Sequence, residues 1–184
     1  MPAKNWVQPV SATVRVGDGA STAPATTTTG SDISYSVLIG NAATSADGQT
    51  GNNAIAIGSL LATSTGVESI AIGGQTEATA NYAIATGYWA QAAGRGAIAT
   101  GLGSSASGAN SIAIGSSSAS NVTLKIANAS GTAAVALGTD TTASGTNSVA
   151  LGTSSTAAGT DGVAIGYNSK VSGANESVIL GVGS

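Results

Sequence analysis

The sequence of 184 residues contains no cysteine, no histidine and no phenylalanine, and little charge of either sign. Without cysteine the chain forms no disulfide and no thiolate metal site, although this absence does not fix the redox compartment. Histidine and cysteine are also the side chains that most often serve as general base and nucleophile. Since charged residues make up only 7% and aromatic residues 3% of the chain, the composition argues against an enzyme and against a metal or cofactor site.

Basic residues are few and scattered, and the net charge is −3. A nucleic-acid partner needs clustered lysine and arginine to displace counterions from phosphates, whereas here they lie far apart at Lys4, Arg15, Arg95, Lys125 and Lys170. No apolar run reaches the ~18 residues of a membrane span, and no apolar core of an export signal follows Met1. We therefore expect no nucleic-acid binding and no membrane insertion.

The acidic residues offer little for catalysis. Most of the eight stand at predicted turns, where a solvated carboxylate is the ordinary interpretation. Glu68 and Glu77, on neighbouring coils, are the only candidates for a carboxylate pair of the kind that hydrolyses glycosides. The sequence predicts no catalytic residue and no cofactor.

A five-residue motif repeats through most of the chain. Ser111-Ile112-Ala113-Ile114-Gly115 has nine close copies, and the ten closing glycines fall at residues 40, 58, 73, 87, 101, 115, 138, 152, 166 and 181. The commonest step between them is 14 residues. A second small residue, Gly108 in this copy, precedes most copies of the motif by a few residues. Fixed-period repeats of this kind indicate a solenoid.

Each period predicts two short strands and two glycine turns. A helix is disfavoured because glycine and β-branched residues have low helix propensity. Side chains alternate along a strand, so Ile112 and Ile114 share one side and Ala113 takes the other. We expect both isoleucines to fill the coil, with Gly115 and Gly108 turning the chain. The fold is then an all-β parallel β-roll of about 14-residue coils. Because its core is thin, we also expect a homotrimer that buries the alanine-lined faces between chains.

Residues 1–30 differ from the repeat. They hold an alternating segment before a low-complexity linker rich in threonine, and we expect them to form an attachment arm that uses Trp6, Val10, Val14 and Val16. Residues 31–184 then form the roll.

The motif at residues 111–115 follows Ser-Ala-Ser-Gly-Ala-Asn at residues 105–110. Together they resemble the head repeat of trimeric autotransporter adhesins, the YadA-like head. The resemblance covers roughly residues 36–184. It implies a left-handed parallel β-roll, three chains packed around an axis, and adhesion to host surfaces or matrix proteins.

The layout departs from those adhesins, since the sequence shows no export signal, no coiled-coil stalk and no membrane anchor. Additional sequence lies before the repeats, and the last repeat ends near the C-terminus. This order resembles phage fibre and capsid-decoration proteins. It predicts a virion surface protein, made in the host cytoplasm, whose arm binds a particle or capsid protein and whose roll meets a host-surface ligand. The alternative is the head of a bacterial cell-surface adhesin.

Three further features are open to more than one interpretation. Tyr88, Trp89 and Arg95 are candidates for a surface contact, or else for packing at the edge of the trimer. The insertion at residues 116–130 either locks neighbouring chains or displays a loop. Thr86 and Thr100 align one coil apart, which raises ice binding as a minor alternative, although a regular threonine row is missing.

Overall fold

A computed structural model describes residues 11–16, 21–22, 34–40, 44–45, 53–58, 61–116, 126–173 and 175–183. Over those ranges the backbone forms 21 strands and no helix. The strands are short because a glycine or another turn residue interrupts the chain about every seventh position.

The odd-numbered strands form one sheet of eleven strands, which we call the long-strand sheet. Its neighbouring strands all run parallel. The strands are β1 (Ser11–Val16), β3 (Ser34–Ile39), β5 (Ile55–Ile57), β7 (Ile70–Ile72), β9 (Ile84–Thr86), β11 (Ile98–Thr100), β13 (Ile112–Ile114), β15 (Val135–Leu137), β17 (Val149–Leu151), β19 (Val163–Ile165) and β21 (Val178–Leu180).

The even-numbered strands form a second parallel sheet of ten strands, the short-strand sheet. They are β2 (Ser21–Thr22), β4 (Thr44–Ser45), β6 (Thr63–Ser64), β8 (Glu77–Ala78), β10 (Gln91–Ala92), β12 (Ser105–Ala106), β14 (Asn128–Ala129), β16 (Thr142–Ala143), β18 (Thr156–Ala157) and β20 (Lys170–Val171). Because successive strands alternate between the sheets, the chain winds as a parallel solenoid of about 9 turns with about 14 residues per coil. The predicted all-β parallel β-roll is confirmed.

The interior of the solenoid is lined by alanine from both sheets. Ala106 and Ala113 are each 0% exposed, and each stands two residues before a glycine, Gly108 and Gly115. A coil therefore consists of two seven-residue halves whose inward positions are alike. Only the outward positions distinguish one face of the solenoid from the other.

The direction predicted for the isoleucines is wrong. Ala113 points into the coil with 0% exposure, while Ile114 points outward and is 39% exposed. Two sheets that meet through single methyl groups leave no space for branched side chains between them. The alanine faces are thus the core itself, so the predicted burial of alanine-lined faces between chains is wrong as well.

Larger side chains occupy the inward alanine position of the long-strand sheet in the outer coils. Leu38 is paired with Ala56 and is fully buried, and Ile179 is paired with Ala164 near the C-terminal end. Between them, the inward residue of every long strand is alanine. The alanine core is therefore a property of the stacked central coils.

Each half-coil turns through a residue with positive φ. In the described ranges thirteen of these residues are not glycine, including Asn110 at 55° and Ala133 at 54°. The N–H groups of nine of them donate to carbonyls of the preceding coil, as Asn110 N does to Arg95 O at 2.7 Å. This ladder of hydrogen bonds between coils holds a backbone conformation that L-residues otherwise disfavour.

Gly108 and Gly115 are required by the close stacking of coils. A Cβ at Gly108 would lie 1.9 Å from the carbonyl oxygen of Gly131, and one at Gly115 would lie 2.2 Å from that of Gly138. Neither glycine has a positive φ. Both lie just after a strand, where the backbone of the next coil comes too close for a side chain.

Buried hydroxyl groups close the inner corners of the turns. Ser148 Oγ donates to Gly145 O at 2.7 Å and Ser155 Oγ to Gly152 O at 2.9 Å. Such bonds satisfy polar groups that would otherwise be costly to bury. They explain why serine and threonine share these corner positions with alanine.

The insertion does not interrupt either sheet. Ile112 pairs with Val135 and Ser105 with Asn128, so both sheets continue in register on either side of the extra residues, which stand between β13 and β14 in the sequence. Residues 117–125, which make up most of the insertion, lie outside the described residues. Both interpretations of the insertion remain predictions.

Candidate interaction surface

The outward surface of the long-strand sheet forms an apolar stripe. From the end of β3 onward, each strand contributes two outward side chains that flank one inward residue, and parallel pairing aligns them in two columns along the solenoid. The first column holds Val37, Ile55, Ile70, Ile84, Ile98, Ile112, Val135, Val149, Val163 and Val178, and the second holds Ile39, Ile57, Ile72, Thr86, Thr100, Ile114, Leu137, Leu151, Ile165 and Leu180.

The second column is well exposed in the single chain. Ile72 is 38% exposed, Leu137 40% and Leu151 37%. Scattered exposed apolar residues are ordinary on proteins, but a contiguous apolar patch marks an interaction site. The stripe is therefore a candidate binding surface in the described part of the chain.

The opposite face of the solenoid is polar. The outward residues of the short-strand sheet are Thr63, Glu77, Gln91, Ser105, Asn128, Thr142, Thr156 and Lys170. Neighbouring side chains hydrogen-bond along this face, as Gln91 Nε2 does to Glu77 Oε2 at 3.4 Å. One face thus suits water and the other suits an apolar partner.

Tyr88 and Trp89 lie together at the turn between β9 and β10. Their ring centroids are 4.8 Å apart with an interplanar angle of 41°, and they are 44% and 43% exposed. Tyr88 Oη is 2.5 Å from Gln75 Oε1, to which it donates a hydrogen bond. Trp89 has a positive φ of 58°. The stacked coils thus hold its backbone in a conformation that tryptophan rarely adopts.

Arg95 lies at the other edge of the roll from this pair. It belongs to the turn between β10 and β11, where its guanidinium carbon is 5.3 Å from the ring centroid of Tyr82. That distance is typical of a cation–π contact. The structure thus joins Tyr88 with Trp89 and places Arg95 with Tyr82, which the sequence interpretation missed. Tyr82 stands one period before Gly96, beside Arg95, and that spacing could have indicated the contact.

Tyr167 repeats the position of Tyr88 near the C-terminal end. Both follow a closing glycine, and both backbone carbonyls accept a hydrogen bond from the next coil. Tyr167 is 59% exposed and has no tryptophan beside it in the sequence. The aromatic pair is thus specific to one coil of the described region.

The predicted attachment residues divide into two groups. Trp6 and Val10 lie outside the described residues. Val14 and Val16 lie in β1, where their backbones pair with Val37 and Ile39 of β3. Part of the predicted arm therefore lies within the two sheets, and its role in attachment remains a prediction.

The structure places the two candidate carboxylates on different elements. Glu68 lies at the turn before β7 with a positive φ of 54°, while Glu77 points outward from the short-strand sheet. Among the described residues there is no group of three or more histidine, cysteine, aspartate or glutamate side chains that could hold a metal ion. No helix in that part of the chain is long and apolar enough to cross a membrane.

Comparison with known families agrees with this geometry. A family model for the YadA head domain repeat matches residues 64–90, 92–118, 129–155 and 157–175, which together make up more than half of the chain. No curated protein matches the sequence. The matching family is a structural adhesin domain and not an enzyme family. With its parallel solenoid, alanine core and repeated glycine turns, the chain belongs to the YadA head domain repeat family.

Proposed function

We propose that this chain is a non-enzymatic, surface-displayed adhesin-like module that assembles as a homotrimer through the apolar stripe. The observation that carries the proposal is the polarity of the two faces. The long-strand sheet exposes two nearly unbroken apolar columns, whereas the short-strand sheet exposes polar side chains. Membership of a family of adhesin-type β-rolls supports the same function.

Energetics favour association. An inward alanine buries one methyl group, which contributes on the order of 1 kcal/mol, whereas ordering the backbone of one residue costs about 1–2 kcal/mol. The interior alone therefore stabilises a coil weakly. The outward isoleucine, valine and leucine side chains are the main apolar surface still in contact with water, and burying them against other copies adds the missing stabilisation.

Symmetry supports a closed assembly. The stripe runs along the solenoid, so copies that share an axis parallel to it can bury their stripes together at the centre. Cyclic symmetry then brings the same residue from each copy to the same height and leaves no stripe exposed. The polar sheet and the turns face outward, where a ligand can reach them.

The outward regions are the proposed adhesive surface. Tyr88 and Trp89 are exposed and adjacent, and aromatic side chains of this kind carry a large share of binding energy at interfaces. Arg95 on Tyr82 adds a cation at the other edge. These two aromatic edges are the places where we expect contact with a host surface or matrix protein.

The location of display has two candidates. Adhesin-like rolls are displayed on bacterial surfaces, which supports the cell surface, whereas the sequence layout predicts a virion surface to which residues 1–30 attach the roll. Immunogold labelling of intact cells and of purified particles distinguishes them. Label confined to the cell envelope rejects the virion location, and stoichiometric label on particles rejects the cell surface.

A matched pair of charge substitutions tests the proposed assembly. Ile114→Lys places a charge within the stripe, and Ser107→Lys places the same charge on the polar face; both residues are exposed in the single chain. We expect Ile114→Lys to dissociate the trimer, because three ammonium groups would be buried at its centre, while Ser107→Lys leaves it intact. Sedimentation velocity measures both. Equal sedimentation of the two variants and the wild type would contradict the stripe as the interface.

A further inference from the structure

The apolar stripe has little to define how copies align along its length. Successive coils present chemically similar residues at the same positions, as with Ile98 beside Ile112 and Val135 beside Val149. Neighbouring strands are spaced by about 4.8 Å. Sliding one copy by one coil therefore replaces each apolar contact with a similar one, and such periodic surfaces specify register weakly.

Thr86 and Thr100 are the polar exception in the stripe. They pair with each other across β9 and β11, and their outer neighbours in the same column are Ile72 and Ile114. Both side chains are partly exposed on the outward face. No hydrogen bond joins either hydroxyl group to another residue in the described part of the chain, so both can bond to another copy.

We propose that Thr86 and Thr100 form a polar layer that fixes the axial register of the associated copies. The proposal rests on the proposed trimer. In register, threonines from all copies meet at two successive heights, where each hydroxyl can donate one hydrogen bond and accept others. After a slip of one coil, one threonine level faces isoleucine, and its hydroxyls lose those partners in an apolar environment.

A comparable use of polarity occurs in coiled coils, where one polar residue in an apolar seam specifies register at some cost in stability. The threonines have the features required for such a role. They are adjacent, they occur together near the middle of the described stripe, and they interrupt the second column and not the first. In the proposed assembly, the apolar residues of the two columns stabilise the contact between copies, and the threonine pair determines their alignment.

Disulfide cross-linking can read the register directly, because the chain has no cysteine of its own. One chain carries Ile114→Cys and a second, distinguished by a mass tag, carries Leu137→Cys one coil further on. The two are refolded together and oxidised, and mass spectrometry compares disulfides between like positions with those between unlike positions. Like positions meet in register, whereas unlike positions meet after a slip of one coil.

We expect like-position disulfides to exceed unlike ones by at least ~10-fold, which corresponds to about 1.4 kcal/mol in favour of the aligned state. Thr86→Val with Thr100→Val keeps the side-chain shape but removes both hydroxyls, and it should bring the ratio to within roughly 2-fold. The insertion at residues 116–130 is the same in both backgrounds, so it cannot account for a difference between them. An unchanged ratio would overturn the proposal.

A second variant moves the polar mark without removing it. Ile72→Thr with Thr100→Ile shifts the threonine pair by one coil toward the N-terminus. When this chain also carries Ile114→Cys and is mixed with the wild-type stripe carrying Leu137→Cys, contacts between the two kinds of chain should give unlike disulfides, and their share should rise several-fold above that found when both chains carry the wild-type stripe. If the share of unlike disulfides does not rise, the threonines do not set register. A protein that remains monomeric and forms no disulfide between chains overturns the proposed trimer together with the register.

Discussion

At the scale of the residue, most of the sequence is explained by its place in a seven-residue half-coil. A glycine permits the next coil to stack closely, a residue with positive φ turns the chain, and a small corner residue is followed by an inward alanine between two outward side chains. Residue size is thus set by stacking and by the thin interior, and the outward positions determine how polar each face of the roll is.

Replacing a stacking glycine should destabilise the roll. In Gly115→Val the new Cβ would lie 2.2 Å from the carbonyl oxygen of Gly138, so the coils must separate. We expect a loss of about 3 kcal/mol or more, and a fall in melting temperature of roughly 10 °C. Circular dichroism during heating measures it. The exposed neighbour Ser116→Val is the control, and equal melting of the two variants would show that the coils do not stack as described.

Replacing a strained turn residue should have the opposite effect. Ala133 is exposed and has a positive φ of 54°, a conformation that costs an L-residue about 1–2 kcal/mol. Glycine avoids that strain but loses more entropy on folding, so Ala133→Gly should stabilise the protein by about 0.5 kcal/mol. Ala136→Gly, at a buried strand position, should destabilise it. Chemical denaturation of both variants checks the sign, and destabilisation by Ala133→Gly would refute the argument from strain.

At the scale of the element, successive residues of a strand face different environments: one side chain points into the coil and the next points outward. The sequence pattern predicted where strands and turns lie, because the glycine period marks them. It did not predict which side faces inward, because the rule that large apolar residues are buried conflicts with the width of the coil. The spacing of Ala106 and Ala113 does indicate the inward side: they are seven residues apart, and each stands two residues before a glycine. When the two halves of a coil close on each other, the positions they share must meet inside.

The orientation of the strands leads to a direct test on β13. Ala113→Ile adds three carbons to an interior with no space for them, and overpacking of this kind costs about 1–3 kcal/mol. Ile112→Ala removes the same carbons from the outward face, where it should leave the coil folded and weaken association instead. Thermal melting combined with sedimentation separates the two effects. If Ala113→Ile melts like the wild type while Ile112→Ala unfolds the coil, the isoleucines are the core.

The candidate contact residues could be predicted only in part. Tyr88 and Trp89 are adjacent in sequence, so their contact follows from the chain. Arg95 is separated from them by one strand and one turn, and a solenoid places successive turns at opposite edges. The contact of Arg95 with Tyr82 depends on the stacking of one coil on the next, since the two residues stand about one period apart in the sequence.

At the scale of the whole molecule, the roll is a slab with one apolar and one polar face. Its interior is too thin to account for a stable single chain, and its largest apolar surface lies outside. A family of adhesin-type β-rolls, an uninterrupted pair of sheets and an unpartnered apolar stripe all agree with association around a common axis. In the proposed trimer, the turns and the polar sheet would remain exposed for contact with a ligand.

The mass of the protein in solution tests this account most directly. Size-exclusion chromatography with multi-angle light scattering on the wild-type chain measures mass independently of shape. We predict about three times the chain mass of 17.2 kDa, unchanged on dilution through the micromolar range. A folded particle with the mass of one chain would contradict the account, because the apolar stripe would then be stable while exposed to water.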